Sequence, residues 1–217
     1  MVPTLDREHQ LWKSGCIRIA GVDEAGLGPL AGPVVAAAYL IPPGAQLIQG
    51  VRDSKTLSPL QRERIFGQIL RQAIAVGVGA ASVREIDTLN VLAASRLAMK
   101  RALARVAPYD HVLVDGREIR NCTFGPHTAI IGGDATSYSI ACASIIAKVT
   151  RDRLMKKLAI RYPGYGWDHN SGYGSAEHIA SLRALGPTPF HRRSFAPVRA
   201  LICPNLFGAS DSDNTFT

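Results

Sequence analysis

The chain lacks the sequence features of three classes of protein: proteins with structural zinc sites, disulfide-rich secreted proteins and membrane proteins. It contains only four cysteines, at Cys16, Cys122, Cys142 and Cys203. They are widely spaced and form no C-x-x-C pair, which argues against a structural zinc site and against a disulfide-dense secreted fold. The first 13 residues lack the apolar core of a signal peptide, and the apolar stretch at residues 30–41 is too short to cross a bilayer. We therefore expect a cytoplasmic protein with reduced thiols and no membrane partner.

Acidic residues are also scarce. The 17 Asp and Glu residues face 25 Lys and Arg, which gives a formal net charge of +8. Such a surplus favours polyanionic partners, because neutralising phosphates releases condensed counterions. The alternative is a basic surface that only keeps the protein in solution, and charge alone does not separate the two. The 217 residues, 47% of them hydrophobic, suffice for one globular domain with a substantial core.

Hydrophobic periodicity predicts that strands alternate with helices. Strands are predicted over residues 17–24, 34–40, 74–81, 111–114 and 129–131. Helices are predicted over residues 58–73, 86–106 and 136–160. The first of these helices has Ser58 as its N-cap candidate and Pro59 in its first turn. This order indicates an α/β fold in which helices pack on both faces of a mixed sheet.

The C-terminal part of the chain differs in composition. Residues 162–204 are rich in Gly, Pro, His and aromatics, which predicts a small helical and loop appendage beside the site. No internal repeat is present, so residues 1–204 are predicted to form a single domain. Residues 205–217 are mostly small or acidic, and we expect them to form a disordered tail.

Three predicted strands end in an acid that lies close to glycine. The segments are AGVDEAG at residues 20–26, VLVDG at residues 112–116 and IIGGDA at residues 130–135. Acids at strand ends can converge at one edge of a sheet, where α/β proteins commonly bind ligands. Neighbouring strand residues point to opposite faces, so Asp23 and Glu24 share a site only if the strand ends there. Each acid alone could be a turn residue or a helix cap, but three on one basic chain favour a common site.

Converging carboxylates imply a cation. Like charges repel and raise each other's pKa, and a divalent ion removes that cost. Oxygen ligands without a Cys or His cluster suit Mg²⁺ or Mn²⁺ rather than Zn²⁺. Two such ions about 3.5–4 Å apart can activate a water molecule and stabilise the leaving oxygen of a phosphodiester. The pattern therefore predicts a metal-dependent nuclease site.

Several blocks of the sequence resemble the type 2 ribonucleases H, the ribonuclease HII family. They follow the family order over residues 17–198, nearly the whole chain. The blocks are GVDEAGLGPLAGPV at 21–34, DSKTLS at 53–58, LVDG at 113–116, GDATS at 133–137, ASIIAKVTRD at 143–152, GYG at 172–174 and HRRSF at 191–195, with His169 and His178. No single block is specific, but together they identify the family.

The resemblance implies a ribonuclease H-like fold and hydrolysis of the RNA strand in RNA–DNA hybrids. It also implies incision at ribonucleotides embedded in duplex DNA, as in ribonucleotide excision repair, leaving 3′-hydroxyl and 5′-phosphate ends. By motif position, the catalytic and metal-binding set is Asp23, Glu24, Asp115 and Asp134, the acids of the strand-end argument. We expect a monomer that uses Mn²⁺ or Mg²⁺ in a two-metal site.

The resemblance also implies substrate contacts, and one of them departs from the family pattern. The glycine-rich turn that usually reads Gly-Arg-Gly is Gly26, Leu27 and Gly28 here. Leucine cannot make a charge-assisted phosphate contact, although the glycines still permit close approach of the main chain. Junction affinity is therefore expected to differ, while the chemistry is retained.

The other expected contacts are Ser54, Lys55 and Arg192 on phosphates and Tyr173 on the ribose that carries the 2′-hydroxyl. The alternatives are a surface turn for Ser54 and Lys55, pairing with acids for Arg192, and packing on the core for Tyr173. Histidines are interpreted as structural or substrate-proximal, because their spacing fits no zinc pattern. The rival functions are a nuclease of the same fold that cuts only DNA, and a nucleic-acid-binding module without catalysis.

Overall fold

A computed structural model describes residues 2–118 and 124–203. Its centre is a five-stranded sheet in the order β3-β2-β1-β4-β5. The strands are β1 Ile19–Ala25, β2 Val34–Ile41, β3 Ala75–Ala81, β4 His111–Asp115 and β5 His127–Ile130. Strand β1 pairs antiparallel with β2, and β2 with β3, whereas β1, β4 and β5 run parallel. The predicted mixed sheet is confirmed.

The helices surround this sheet. They are α1 Asp6–Lys13, α2 Pro59–Gln72, α3 Val83–Leu89, α4 Val91–Leu103, α5 Gly133–Thr136, α6 Tyr138–Arg161, α7 Trp167–Asn170, α8 Ala176–Leu185 and α9 Ala196–Ile202, with a short 3-10 turn at Ser54–Thr56. None of the helices in the described ranges is long and apolar enough to span a membrane. The predicted cytoplasmic location and monomeric state stay predictions.

The two faces of the sheet carry separate cores, as the alternation along β1 requires. Ile19 packs with residues of α2 and α6 on one face, while Ala20 and Val22 pack with α4 on the other. Gly21 faces α6, and a Cβ atom there would lie 2.2 Å from the carbonyl carbon of Ser139. The first turn of α6 therefore rests directly on β1, two residues before Asp23.

The single helix predicted over residues 86–106 was wrong. Ser82 starts α3 earlier, with a capping box to Glu85, and Asn90 at φ 70° separates α3 from α4 while its side chain caps α4. Leu89 and Leu92, two apolar residues of that predicted helix, are 41% and 60% exposed, whereas the later Met99 and Leu103 are buried. The break thus interrupts the helical periodicity on which the prediction relied.

Other boundaries differ by smaller amounts. Strand β1 begins at Ile19 rather than residue 17, because the Asp110 carboxylate accepts the N–H groups of Ile17 and Arg18. Strand β5 covers His127–Ile130 rather than residues 129–131. The helix predicted over residues 136–160 is α6, Tyr138–Arg161, and the short helix α5 precedes it. Helix α1 was not predicted.

The predicted C-terminal appendage is confirmed as α7, α8 and α9 with their connecting loops. Trp167 and Tyr165 pack with Ala31, and Leu182 and Val198 pack with Leu30. The appendage thus covers the glycine-rich bend that follows β1. The predicted disordered tail at residues 205–217 lies outside the described residues.

Candidate active site

Parallel pairing of β1, β4 and β5 places three acids together. Asp23, Asp115 and Asp134 each offer a carboxylate oxygen, and these oxygens lie within 4.8 Å of one another. Asp115 is the last residue of β4, and Asp134 lies in α5 directly after β5. The carboxyl ends of parallel strands meet at one edge of the sheet, which explains the convergence of acids so distant in sequence.

Backbone geometry around Gly133 sets the position of two of these acids. The N–H of Gly133 donates to Asp115 Oδ1 at 2.7 Å. A Cβ atom on Gly133 would lie 2.6 Å from Ile140 Cδ1 and 3.3 Å from the same carboxylate oxygen. A side chain at residue 133 would displace Ile140 and crowd the Asp115 carboxylate, so Gly133 helps to set the separation of Asp115 and Asp134.

The start of α6 is held by the N-terminal segment. Glu8 is fully buried, and its Oε1 accepts hydrogen bonds from Ser137 Oγ at 2.7 Å, Ser139 N at 2.9 Å and Ser139 Oγ at 2.7 Å. The N–H of Thr4 donates to Thr136 O, and the N–H of Tyr138 donates to Thr4 O. A carboxylate at a helix N-terminus satisfies free N–H groups and complements the helix dipole. The segment therefore anchors the chain two to five residues after Asp134.

The electrostatics of the cluster are those of repelling, poorly hydrated carboxylates. Burial, with the charges of Glu24 and Asp115, raises the pKa of Asp23 well above its usual value, against a lowering hydrogen bond from Ser144. Burial and then Asp134 raise the pKa of Asp115. Each raised pKa means that the ionised carboxylate is disfavoured at its position in the folded protein. A cation among these oxygens would remove the cost.

Glu24 occupies a different position from the three aspartates. Strand β1 continues through Glu24 to Ala25, so the condition that the strand ends after Asp23 is not met. Glu24 is not part of the group of carboxylates within 4.8 Å. Burial, followed by the charge of Asp115, nevertheless raises the pKa of Glu24 to about 7. Its charge is therefore coupled to the cluster even though its oxygens lie farther away.

The donor set fits a hard divalent cation. The three grouped side chains offer only carboxylate oxygens, which are the ligands that Mg²⁺ and Mn²⁺ prefer. Two of the three, Asp23 and Asp134, are buried, which keeps competing water low. Their mutual repulsion supplies the negative potential that binds such an ion.

The two residues expected from the DSKTLS block are placed differently. Lys55 Nζ lies 3.4 Å from Asp134 Oδ2, and its side chain is 77% exposed. Ser54 is buried, and its hydroxyl lies 2.9 Å from the hydroxyl of Ser144, which contacts Asp23. Lys55 thus pairs with Asp134 while most of its side chain faces solvent, whereas Ser54 supports Asp23 through Ser144.

Arg192, expected on a phosphate, is fully buried instead. Its guanidinium donates to the carbonyl oxygens of Gly26, Leu27 and Gly32 at 2.6, 2.8 and 3.0 Å. The hydrogen-bond partners of its side chain are thus main-chain carbonyls rather than the acid considered from the sequence. Burial, with repulsion from Arg151, lowers the pKa of Arg192 to about 9.

Arg151, in the ASIIAKVTRD block, is a second buried arginine. Arg151 is 1% exposed and donates to the carbonyl oxygens of Pro33, Ala31 and Ser171 at 3.0, 3.1 and 2.9 Å. Nothing in the sequence marked this burial, because Arg151 lies in the same charged segment as Lys148 and Arg153. Those two residues form ordinary ion pairs with Asp152 and Glu63.

Tyr173 lies beside the glycine-rich turn. It is 47% exposed, and a Cβ atom on Gly28 would lie 3.6 Å from its Cε1. The N–H of Leu30 donates to Gly172 O, which ties the turn to the GYG segment. Of the expected contacts, Leu27, Gly28 and Tyr173 therefore lie together at the surface, and Gly26 is buried behind them.

Two histidines of the appendage, His178 and His191, are buried and hydrogen-bonded within it. Trp167 Nε1 donates to His178 Nε2 at 3.0 Å, and His178 Nδ1 lies 2.8 Å from Tyr173 O. His191 Nε2 lies 3.1 Å from His178 Nε2. Burial, with the neighbouring His178, lowers the pKa of His191 to about 4. Both rings are neutral near pH 7 and hold the segment that carries Tyr173.

The fold and the carboxylate edge define a ribonuclease H-like protein. The crystal structure of the ribonuclease H2 from Pyrococcus horikoshii OT3 superposes with a TM-score of 0.68 at 29% identity, covering 85% of this chain and 96% of that one.

The particular family follows from sequence comparison. The Ribonuclease HII family model matches residues 20–198. The chain is 56% identical to the Ribonuclease HII of Thermosynechococcus vestitus over 90% of this chain and 94% of the relative. It is 51% identical to that of Synechococcus sp. (strain JA-3-3Ab) over 95% and 94%. The chain belongs to the ribonuclease HII family and is an endoribonuclease.

Proposed function

We propose that this endoribonuclease hydrolyses the RNA strand of RNA–DNA hybrids and also incises at ribonucleotides embedded in duplex DNA, giving 3′-hydroxyl and 5′-phosphate ends. The observation that carries the proposal is the group of three carboxylates, Asp23, Asp115 and Asp134, within 4.8 Å. Family membership supports the hybrid substrate, and the surplus of basic residues supports a polyanionic one.

Asp23, Asp115 and Asp134 would hold the divalent cations, Mn²⁺ or Mg²⁺, with Glu24 as the fourth acid because its charge is coupled to theirs. Bound divalent ions in such a site supply an activated water and stabilise the leaving oxygen. The protein's own part is to hold the carboxylates in position, through Gly133, Ser144 and the anchored start of α6. Lys55, exposed beside Asp134, would neutralise a phosphate next to the cluster.

Recognition would come from the exposed part of the glycine-rich turn, Leu27 and Gly28 with Gly26 behind them, and from Tyr173. The ribose 2′-hydroxyl is the group that separates RNA from DNA, and it both donates and accepts hydrogen bonds. The flanking glycines let the main chain approach the sugar, and the half-exposed Tyr173 lies next to them. We place this activity in the cytoplasm, where the scattered reduced cysteines also fit.

Cleavage of three duplexes tests the proposal: one with a single ribonucleotide, one RNA–DNA hybrid and one of DNA only, each with Mn²⁺ or Mg²⁺ and with EDTA. We expect the first two to be cut only with metal and the third to stay intact. Asp23→Asn should lower the rate more than about a hundredfold, since loss of even indirect support of a metal ligand costs up to that factor. Asp168→Asn, on a 65% exposed side chain of the appendage, is the matched control.

The outcomes separate the alternatives. Equal cutting of the DNA duplex would establish a DNA nuclease of the same fold. Binding without cleavage of any substrate would establish a non-catalytic module. Wild-type rates in Asp23→Asn would reject the carboxylate group as the catalytic site.

A further inference from the structure

We propose that Asp152 is a positioning residue for substrate binding, whose carboxylate holds two substrate-contacting segments in a fixed relation. The segments are the turn Ser54–Thr56, which carries Lys55, and residues 171–173, which end at Tyr173. This inference rests on the proposed function, because the contacts of Lys55 with a phosphate and of Tyr173 with a ribose come from there. It assigns part of the affinity for the substrate to a residue of α6 that does not touch the substrate.

The carboxylate of Asp152 accepts hydrogen bonds from three parts of the chain. Its Oδ1 accepts from Lys148 Nζ at 2.7 Å, within α6, and from Ser171 Oγ at 3.1 Å, directly after α7. Its Oδ2 lies 3.4 Å from Nη2 of Arg62, in α2. The side chains of Asp152 and Arg62 are 18% and 10% exposed, so water competes little with these contacts. One acid therefore joins α6 to α2 and to the loop that leads to Tyr173.

Arg62 carries this link to the turn with Lys55. Its Nη1 donates to Ser54 O at 2.9 Å and to Leu57 O at 2.6 Å, the carbonyl oxygens that flank the turn. A guanidinium is planar and rigid, so a carboxylate bound at Nη2 also sets the direction of Nη1. Asp152 therefore fixes the orientation of the turn through the single buried side chain of Arg62.

Ser171 carries the link to the segment with Tyr173. Its φ of +50° lies in the left-handed region, which residues other than glycine seldom adopt and which requires support from neighbouring contacts. Two consecutive residues of α6 supply that support. The hydroxyl of Ser171 donates to Asp152, and its carbonyl oxygen accepts from Arg151 Nη1 at 2.9 Å. Without the Asp152 carboxylate we expect residue 171 to relax and Tyr173, two residues later, to move with it.

A second ion pair joins the same two helices. Arg153 of α6 pairs with Glu63 of α2, and both ion pairs line a cavity of about 520 Å³ between α2, α6 and α7. The side chains of Arg153 and Glu63 are 51% and 43% exposed, so water screens their pair and it contributes little. Asp152 differs in that its partners lead on to both substrate-contacting segments.

The same face of α6 supports the catalytic acids. Ser144, which donates a hydrogen bond to Asp23, lies two turns before Asp152 with Lys148 between them, and residues four apart share a helix face. At a rise of 1.5 Å per residue, Asp152 lies about 12 Å from Ser144 along the helix axis. Loss of the Asp152 carboxylate should therefore loosen the two substrate-contacting segments and leave the three aspartates of the cluster in place.

The test is the steady-state kinetics of Asp152→Asn on the duplex with a single ribonucleotide at saturating Mn²⁺. Asparagine has nearly the same shape but presents an uncharged amide to Arg62 and Lys148. We expect KM to rise roughly tenfold, the value of one hydrogen bond between charged groups, and kcat to change by less than about threefold. Glu63→Gln removes a carboxylate that also joins α2 to α6 and is the matched control, whose KM should stay within about twofold of wild type.

The division between KM and kcat is decisive, because partial misfolding lowers the active fraction and therefore kcat, whereas the KM of the folded fraction is unchanged. A wild-type KM in Asp152→Asn, or a loss confined to kcat, overturns the inference and leaves the proposed function standing. Failure of wild type to cut this duplex overturns the proposed function and the inference together. If Asp152→Asn does not fold, Ser171→Ala, which removes one hydroxyl, should raise KM about threefold at unchanged kcat; an unchanged KM there overturns the inference.

Discussion

Replacing Glu24 by glutamine should stabilise the metal-free protein. Burial, followed by the charge of Asp115, raises the pKa of Glu24 from 4.5 to about 7. Between these values the folded state binds more protons than the unfolded state, so the cost of Glu24 grows as the pH rises and is complete above about pH 7. At about 1.4 kcal/mol per pKa unit, ionised Glu24 lowers the free energy of unfolding by roughly 3 kcal/mol at pH 8.

Urea unfolding in EDTA measures this effect. At pH 8 the unfolding free energy of Glu24→Gln should exceed that of wild type by up to roughly 3 kcal/mol, and at pH 4.5 the difference should disappear. Saturating Mg²⁺ or Mn²⁺ should reduce the difference, because the ion stabilises wild type by binding the folded state. Glu118→Gln, on an exposed residue, should change stability by less than about 0.5 kcal/mol. A Glu24→Gln variant no more stable than wild type at pH 8 would refute the electrostatic reasoning.

Three further predictions concern other parts of the molecule. Leu27→Arg should tighten binding to duplexes with a DNA–RNA junction. It should also steepen the slope of the logarithm of the binding constant against that of the salt concentration by about 0.9 for each added phosphate contact. An unchanged slope would contradict the inference that leucine at residue 27 removes a phosphate contact. Glu8→Ala should lower the unfolding free energy by about 3 kcal/mol, because three donors lose a buried carboxylate, whereas Gln10→Ala on the exposed side of α1 should have little effect. In an NMR titration His191 should titrate near 4 and His169 above its ordinary pKa, since Glu177 and then Asp168 favour protonated His169. The His191 contribution to the free energy of unfolding should fall as the pH drops from about 6.5 to 4, because the unfolded state binds more protons in that range. A measured His191 pKa near 6.5 would contradict the burial of this side chain.

The sequence predicted the sheet and its three converging aspartates because both depend on strong local signals. Each aspartate follows an apolar run and lies close to glycine, and parallel strands bring their carboxyl ends to one edge. The position of the Glu24 side chain was harder to predict, because it depends on whether β1 ends before or after this residue. The strand continues to Ala25, and the side chain follows the opposite face.

The partners of buried polar groups could not be predicted from periodicity. Arg192 was expected on a phosphate because a family motif and a positive charge give no information on burial. Its carbonyl partners lie up to 166 residues away. Helix α1 was missed for a similar reason, since its polar sequence hides the single buried carboxylate of Glu8. Long-range hydrogen bonds are set by tertiary packing, which a local pattern does not contain.

The bond between Glu8 and Ser137 joins residues 129 positions apart, and this separation has a consequence for synthesis of the chain. At translation rates of about 5–20 residues per second, Glu8 leaves the ribosome on the order of ten seconds before its partner exists. Until then the first turn of α6 lacks its hydrogen bonds to Glu8, and the segment that carries Asp134 lacks that anchor. A nascent chain shorter than about 140 residues therefore cannot hold the three aspartates in their anchored arrangement.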